Sequence, residues 1–238
     1  MGKLIGGLSA AAGILLWYYG GTRGLSSLVN LGIGAIILGM VLSTLSPRGY
    51  VDREALTLSC SGFPHFLDNL KEELGLRDGA VIIPPFENLP RGGIFLPESE
   101  EFSLRLGKLD EKSPLVTGSG DESGLLISPP PGWGIIEYTL ENVGEIRDTG
   151  VGYASSAVSS VLSALGLGSG EAFEEGDKIE VYAEPICDGP FYADPVASAM
   201  LIGVAMGKNE VLAVKSAERV KGYWRIVLEP LGGVKRWL

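Results

Sequence analysis

The sequence predicts an α+β fold, with an N-terminal transmembrane helical hairpin over residues 1–47 and a soluble domain over residues 48–238. The domain is expected to hold a mostly antiparallel sheet with packed helices and could divide into subdomains 48–145 and 146–238. Three observations predict this fold. Two uncharged apolar runs open the chain, short strand and helix patterns alternate after residue 50, and the last quarter reads as strand, helix and two strands.

The two apolar runs cover residues 4–21 and 25–45. A helix needs about 20 mostly apolar residues to cross a bilayer, so the first run is at the short end and the second is long enough. Because lipid offers the backbone no hydrogen-bond partners, both runs are predicted to be helices. Between them, "GTRG" predicts a tight reversal, with Arg23 at one membrane face. A cleaved signal peptide is the alternative for the first run.

Aromatic and basic residues flank the two runs and predict the membrane interfaces. The expected interface residues are Trp17, Tyr18, Tyr19, Arg23 and Arg48. Lys3, the amino terminus, Arg48 and Arg53 together outnumber Arg23, which lies alone in the reversal. The positive-inside rule therefore predicts a two-helix, multi-pass protein of the cell membrane with both termini in the cytoplasm.

Small residues recur along both runs, as at Gly6, Ala10, Gly32 and Gly39. Such residues allow membrane helices to approach closely. They predict either a hairpin packed on itself or a surface for another membrane subunit.

Charge and cysteine content limit the possible functions. The net charge is −10, and the only charges before residue 47 are the positive Lys3 and Arg23, so the remainder is more acidic still. An acidic domain is a poor partner for nucleic acid. The distant cysteines Cys60 and Cys187 predict two reduced, partly buried thiols, with a disulfide as the alternative if the domain is extracytoplasmic. With His65 as the single histidine, neither a metal site nor a cofactor is predicted.

The first half of the domain predicts short elements. "REALTLSC" alternates as a strand, and the helix that follows has one apolar face, made of Phe63, Phe66, Leu67, Leu70 and Leu74. "AVIIPPF", "GGIFLP", "FSLRL" and "GLLIS" predict four more strands, and "WGIIEYTLENVG" predicts a helix. The acidic clusters "PESEEF", "GSGDESG" and "GEAFEEGD" are interpreted as solvated loops.

The second half is more regular. A helix near residue 152 has a polar stripe of Ser155, Ser159 and Ser163. "DKIEVYAEP" alternates as a strand, Asp194 and Pro195 open a short apolar helix expected in the core, and Gly207 is expected to end it. The last two strands are expected to pair through "KG".

No catalytic motif is complete in the sequence. The one hydrolytic site that the residues suggest is Ser119 with Asp121, in a glycine-rich loop. No catalytic residues are therefore assigned.

Two resemblances add expectations. The two-helix N-terminus, "SPPPGWG" and "GPFYADPVASAMLIGVAMGKNEV" together resemble uncharacterised archaeal membrane proteins, which implies no activity. "EPICDGPFYADP" and the helix after it are similar to the small-molecule-binding domain named for 4-vinyl reductase. That resemblance implies a ligand pocket formed by Glu184, Cys187, Asp188, Tyr192 and Asp194. The later cysteines common in that domain are missing here.

The sequence thus favours a membrane-anchored cytoplasmic domain that binds a partner protein or a small ligand, without evident catalysis. A membrane-anchored hydrolase with an acidic or serine site and an accessory subunit of a larger membrane complex are the alternatives. The expected partners are the lipid bilayer and a membrane or cytoplasmic protein, and a homo-oligomer is also compatible with the sequence.

Overall fold

The computed structural model describes residues 2–44, 53–99, 101–117 and 122–237. The chain forms two compact units, Met1–Val51 and Asp52–Leu238.

The first unit is a pair of antiparallel helices, α1 (Gly2–Arg23) and α2 (Ser26–Thr44). Ser9 Oγ donates a hydrogen bond of 3.2 Å to the carbonyl oxygen of Ala35 across the pair. The predicted "GTRG" reversal is wrong in detail, because α1 continues through Arg23 and the chain turns at Gly24 and Leu25. Gly24 has a φ of 67°, which glycine adopts at little cost.

Small residues bring α1 and α2 into close contact. A Cβ atom added at Gly13 would lie 2.7 Å from the carbonyl oxygen of Gly32, and one at Gly39 would lie 2.6 Å from the amide nitrogen of Ala10. Real Cβ atoms do not approach so closely, so the pair requires glycine at both positions. These small residues pack the two helices on each other, as the first of the two interpretations predicted.

Among the described residues, one helical stretch, Ser26–Ser43, is long and apolar enough to cross a membrane. The predicted pair of spanning helices is therefore not established. A signal sequence near an N-terminus has the same length and composition, so membrane anchorage belongs to the proposal below rather than to the fold.

The second unit is α+β, with one eight-stranded sheet in the order β3-β4-β2-β1-β7-β8-β6-β5. Every neighbouring pair is antiparallel. The strands are β1 (Val81–Ile83), β2 (Gly93–Pro97), β3 (Leu115–Val116), β4 (Gly124–Ile127), β5 (Gly170–Glu175), β6 (Lys178–Ala183), β7 (Glu210–Val220) and β8 (Tyr223–Gly233). The sheet joins both halves of the domain, because β1 pairs with β7.

In the described part of this unit, the α-helices that accompany the sheet are α3 (Arg53–Cys60), α4 (Gly62–Glu73), α5 (Trp133–Asn142), α6 (Val151–Leu165) and α7 (Pro195–Lys208). The antiparallel pairing of the sheet and the helices α5, α6 and α7 agree with the sequence prediction. Asn209, rather than Gly207, ends α7, with a left-handed φ of 53°. Asparagine tolerates this conformation.

Three predictions for the first half and the β5 region are wrong. "REALTLSC" forms helix α3 instead of a strand. "FSLRL" is irregular and leads into a 3-10 helix at Leu106–Lys108, where buried Leu104, Leu106 and Leu109 cover one face of the sheet. The acidic stretch at 170–175 is the edge strand β5, because it pairs with β6 over its whole length.

Helix α7 is the centre of the main core. All its residues from Val196 to Gly207 are buried, and it packs against the sheet on one side and against α5 and α6 on the other. The core therefore lies on the helix-covered face of the sheet, where Ile82, Leu212 and Ile226 belong to the same apolar cluster as α7.

The prediction of two reduced thiols is also wrong. Cys60, at the end of α3, forms a disulfide with Cys187, which lies in the connection from β6 to α7. The same connection accepts a hydrogen bond of 2.9 Å from Thr57 Oγ1 at the carbonyl oxygen of Ile186. Together these two links fasten α3 to the loop before α7.

We expect the Cys60→Ala/Cys187→Ala variant to lose about 3–5 kcal/mol of unfolding free energy, because the disulfide closes a loop of 127 residues in the unfolded chain. Urea unfolding measures the loss, and the oxidised chain should be two hydrogens lighter by mass. The same midpoint with and without reductant in the wild type would contradict the prediction.

Gly132, just before α5, sits where two backbone segments meet. A Cβ atom there would lie 2.3 Å from the carbonyl oxygen of Pro195 and 2.4 Å from the amide nitrogen of Ala199. Its amide donates a hydrogen bond of 2.7 Å to Ser198 Oγ. This contact fixes the start of α5 against the first turn of α7.

We expect Gly132→Ala to lower the unfolding free energy by about 1–3 kcal/mol, because the added methyl group must push α5 away from α7. Gly134→Ala is the matched control, since nothing lies within 4 Å of a Cβ at Gly134. Being inside a helix, that control should be neutral or stabilising by about 0.5–1 kcal/mol. Equal effects of the two variants in urea unfolding would refute the close approach.

Candidate functional site

The best-supported site is a cavity of about 420 Å³ on the helix side of the sheet, here called the aromatic cavity. Three elements form it: the end of α4 with the Asp78–Gly79 loop, the 3-10 helix Phe191–Ala193 before α7, and the β7–β8 hairpin. Its lining residues are Lys71, Asp78, Gly79, Pro190, Phe191, Tyr192, Val214, Lys215, Ser216, Ala217 and Trp224. The volume is within the range of small-molecule sites.

Three aromatic rings give the cavity its apolar wall. The ring of Phe191 meets that of Tyr192 edge-on at 5.3 Å between centroids and that of Trp224 at 6.0 Å. The Arg219 guanidinium lies 4.3 Å from the Trp224 ring, a cation–π contact. Arg219 also donates to the carbonyl oxygen of Cys187 at 3.3 Å, so the hairpin is tied to the disulfide loop.

The indole nitrogen of Trp224 is buried, with no hydrogen-bond partner among the described residues. Buried N–H groups without an acceptor are uncommon in folded proteins. The aromatic wall therefore includes a donor that no described residue pairs.

The charged residues at the cavity come from separate elements. Lys71 on α4 pairs with Asp78, and Lys215 on β7 lies 2.5 Å from Glu229 Oε2. A second cavity of about 290 Å³ shares Asp78, Gly79, Val214 and Lys215 with the first and adds Arg77. Among the described residues that line the two cavities, three are cations and one is a carboxylate.

Tyr192 is the predicted site residue that lines the aromatic cavity. Its hydroxyl donates to Asp68 Oδ1 at 3.3 Å, which joins the 3-10 helix to α4. Burial, and then the negative charge of Asp68, raise the pKa of Tyr192 above its ordinary value. The hydroxyl consequently stays protonated and acts as a donor.

Asp194, also predicted as a pocket residue, has a different role. It is 1% exposed and caps α7, with Oδ1 accepting from the Ala197 amide at 2.8 Å. Its Oδ2 accepts from the amides of Ile186 at 2.7 Å and Cys187 at 2.9 Å. Burial raises the pKa of Asp194, whereas these amide donors act to lower it. All three bonds are internal, so Asp194 organises the loop.

The other predicted pocket residues do not converge on the cavity. Cys187 is buried in its disulfide, and Asp188 is exposed. Glu184 lies near the start of β5, where its Oε2 accepts from Ser169 Oγ at 3.5 Å. Asp194 and Cys187 are thus brought together as structural partners, and Tyr192 alone of the five lines the aromatic cavity.

Among the predicted interface residues, Trp17, Tyr18 and Tyr19 are exposed on the last turns of α1. The Arg23 guanidinium lies 5.7 Å from the Tyr19 ring. Arg48 is outside the described residues.

A separate groove of about 610 Å³, distinct from both cavities, runs between α6 and the edge strand β5. Serines of α6 line it, and three of them make hydrogen bonds within the protein: Ser155 donates to the Gly152 carbonyl, Ser160 donates to the Ala157 carbonyl, and Ser159 accepts from the Gly170 amide. Glu171 is the one acidic or basic side chain among its described lining residues.

The predicted pair Ser119 and Asp121 falls outside the described residues. Within the described ranges, no group of three or more His, Cys, Asp or Glu side chains could hold a metal ion.

Sequence reasoning missed Lys71, Lys215 and Trp224 as site residues. A signal for Trp224 was present, because it alternates with Ile226 and Leu228 on β8 and so faces the helix side of the sheet. The lysines had no such signal, since solvated lysines occur throughout the chain.

Comparison with known proteins adds no assignment. No protein-family model, curated protein or solved structure matches the chain. The site is therefore argued from its own geometry.

We expect Asp194→Asn to lower the unfolding free energy by about 2–4 kcal/mol, because an amide group cannot accept from all three backbone donors and leaves at least one buried N–H unpaired. Asp188→Asn is the control, since exposed Asp188 should change stability by no more than about 0.5 kcal/mol. Urea unfolding of both variants tests this. A near-neutral Asp194→Asn would show that the loop does not depend on the carboxylate.

Proposed function

We propose that the chain is a membrane-anchored binding protein whose second unit takes a small anionic ligand with an apolar body into the aromatic cavity. The observation that carries the proposal is the meeting of an aromatic wall (Phe191, Tyr192, Trp224) and two lysines (Lys71, Lys215) around one cavity. Ligand sites are typically apolar clefts with a few placed polar groups.

The charge distribution supports an anionic ligand. The chain as a whole carries a net charge of −10, so a typical surface region should be acidic. The residues that line the aromatic cavity and its neighbour include the cations Lys71, Arg77 and Lys215 and the carboxylate Asp78, and Glu229 pairs with Lys215 beside them. A carboxylate or phosphate group near these cations, with its apolar part against the rings, matches both features.

The helical pair supports the anchor. The stretch Ser26–Ser43 has membrane-spanning length and composition. Its large apolar side chains are exposed, including Leu31, Ile37, Leu38 and Met40. A core helix would bury such side chains within the protein, whereas a membrane helix presents them to lipid.

The charge pattern and the disulfide indicate opposite sides of the membrane for the domain. The charge count predicts a cytoplasmic domain, but disulfides persist mainly in oxidising compartments, apart from the interior of hyperthermophiles. We give the Cys60–Cys187 disulfide more weight, because the charge count rests on a margin of a few residues. The proposal therefore has the domain facing an oxidising environment.

The ligand proposal is tested with a matched pair of probes, para-trifluoromethyl benzoate and para-trifluoromethyl benzyl alcohol, observed by fluorine NMR with the full chain in nanodiscs. We expect the benzoate to bind more tightly. Lys71→Gln/Lys215→Gln should weaken the benzoate about three- to tenfold, because half-buried Lys71 and exposed Lys215 lose their charges and Asp78 loses its partner. The alcohol should be unaffected.

Lys178→Gln is the control, because Lys178 is an exposed lysine of β6 that does not line the cavity. Equal weakening by the control and the double variant would contradict the assignment of the cavity. Failure of the benzoate to bind, or tighter binding of the alcohol, would overturn the proposed ligand chemistry.

A further inference from the structure

Three large apolar side chains are exposed close together in the chain, on helices α3 and α4. Leu58 is 70% exposed, Phe63 is 43% exposed and Phe66 is 59% exposed. The sequence places Phe63 and Phe66 on the apolar face of α4 together with Leu67. Pro64 and Leu67 are the buried residues of α4, and the two phenylalanines lie to one side of them.

These helices are not loosely attached. Cys60 of α3 is joined to Cys187, Thr57 donates to the Ile186 carbonyl, and Asp68 of α4 accepts from Tyr192. The exposure therefore belongs to helices held at fixed places on the domain. Large apolar side chains that are held exposed at three positions within residues 58–66 mark a segment that another apolar phase covers.

The short connection between α2 and α3 indicates that this apolar phase is a lipid bilayer. Helix α3 begins at Arg53, and α2 ends at Thr44, so residues 45–52 alone connect the apolar stretch Ser26–Ser43 to α3. Eight extended residues reach no more than about 30 Å. If α2 spans a bilayer, as the proposed function holds, the start of α3 cannot lie far from the membrane surface.

We propose that α3 and α4 lie on the bilayer surface, with Leu58, Phe63 and Phe66 inserted at the boundary between headgroups and acyl chains. Helices with apolar side chains on one face bind in this way. This inference rests on the proposed membrane anchor, but not on the proposed ligand.

The charges on α3 and α4 indicate which kind of lipid surface these helices can bind. Glu54, Glu72 and Glu73 are exposed on the same two helices, whereas Lys71 of α4 pairs with Asp78, and the sheet domain is acidic overall. An anionic lipid surface is therefore disfavoured, and insertion of apolar side chains is the force that holds the helices. A zwitterionic phosphatidylcholine bilayer is the appropriate partner.

The test uses photocrosslinking of the full chain in phosphatidylcholine nanodiscs. The photoreactive p-benzoylphenylalanine replaces Phe66 or, in a second variant, Phe63. Phe173 is the matched negative control, because it is a similarly exposed phenylalanine (54%) on the edge strand β5. Leu38, exposed on α2, is the positive control for the anchor. Since all four side chains are exposed, the replacements should leave the fold intact, and the retained disulfide is checked by mass.

We expect lipid adducts at positions 66 and 63, with a yield several-fold above position 173 and comparable to position 38. Adducts at position 38 without adducts at 66 and 63, or with equal yield at 173, would overturn the surface docking and leave the anchor standing. Crosslinks from 66 to a second protein chain in place of lipid would also overturn it. Absence of lipid adducts at position 38 would overturn the anchor and the docking together.

Discussion

One buried carboxylate holds the region on which the candidate site depends. Asp194 accepts backbone hydrogen bonds from Ala197 at the start of α7 and from Ile186 and Cys187 in the connection from β6. A single side chain thereby sets both ends of that loop. The bonds act on backbone groups that would otherwise be buried without partners, so their loss is costly. Because the loop includes Cys187, its position also determines where the disulfide can reach α3.

Secondary structure was predicted correctly where residues have a specific local role, such as capping a helix. It was predicted wrongly where the same apolar spacing fits both a strand and a helix. Asp194 before Pro195 is a strong helix start, and α7 begins there. In "REALTLSC", by contrast, Leu56, Leu58 and Cys60 alternate as in a strand, while Leu56 and Cys60 also have helical spacing. The structure packs Leu56 and Cys60 against the core and exposes Leu58, which fits a helix. Spacing alone does not distinguish the two, and in the structure the helix places Leu56 and Cys60 against the core and Cys60 in the disulfide.

Of the residues that line the aromatic cavity, only Tyr192 was among those that the resemblance to the small-molecule-binding domain implied. Tyr192 lies beside the capped start of α7. Trp224 and Lys71 reach the same cavity from β8 and α4, far away in the chain. Their meeting depends on the register of the β7–β8 hairpin, where Arg219 opposes Trp224, and on the position of α4, which the Tyr192–Asp68 bond helps to fix. Such long-range geometry leaves no trace in one sequence.

A periodic pattern of apolar residues indicates that one face of a helix is shielded from water. It does not indicate whether protein or lipid shields that face. For α7 the cover is the sheet on one side and two helices on the other, and every residue from Val196 to Gly207 is buried. For α4 the same periodicity predicts an apolar face, yet Phe63 and Phe66 remain exposed. On α2 the apolar side chains away from α1 are exposed as well. Burial in protein and burial in lipid follow from the same transfer free energy, so they produce the same sequence pattern. The three-dimensional structure separates them, because it shows which apolar faces the protein has left without cover.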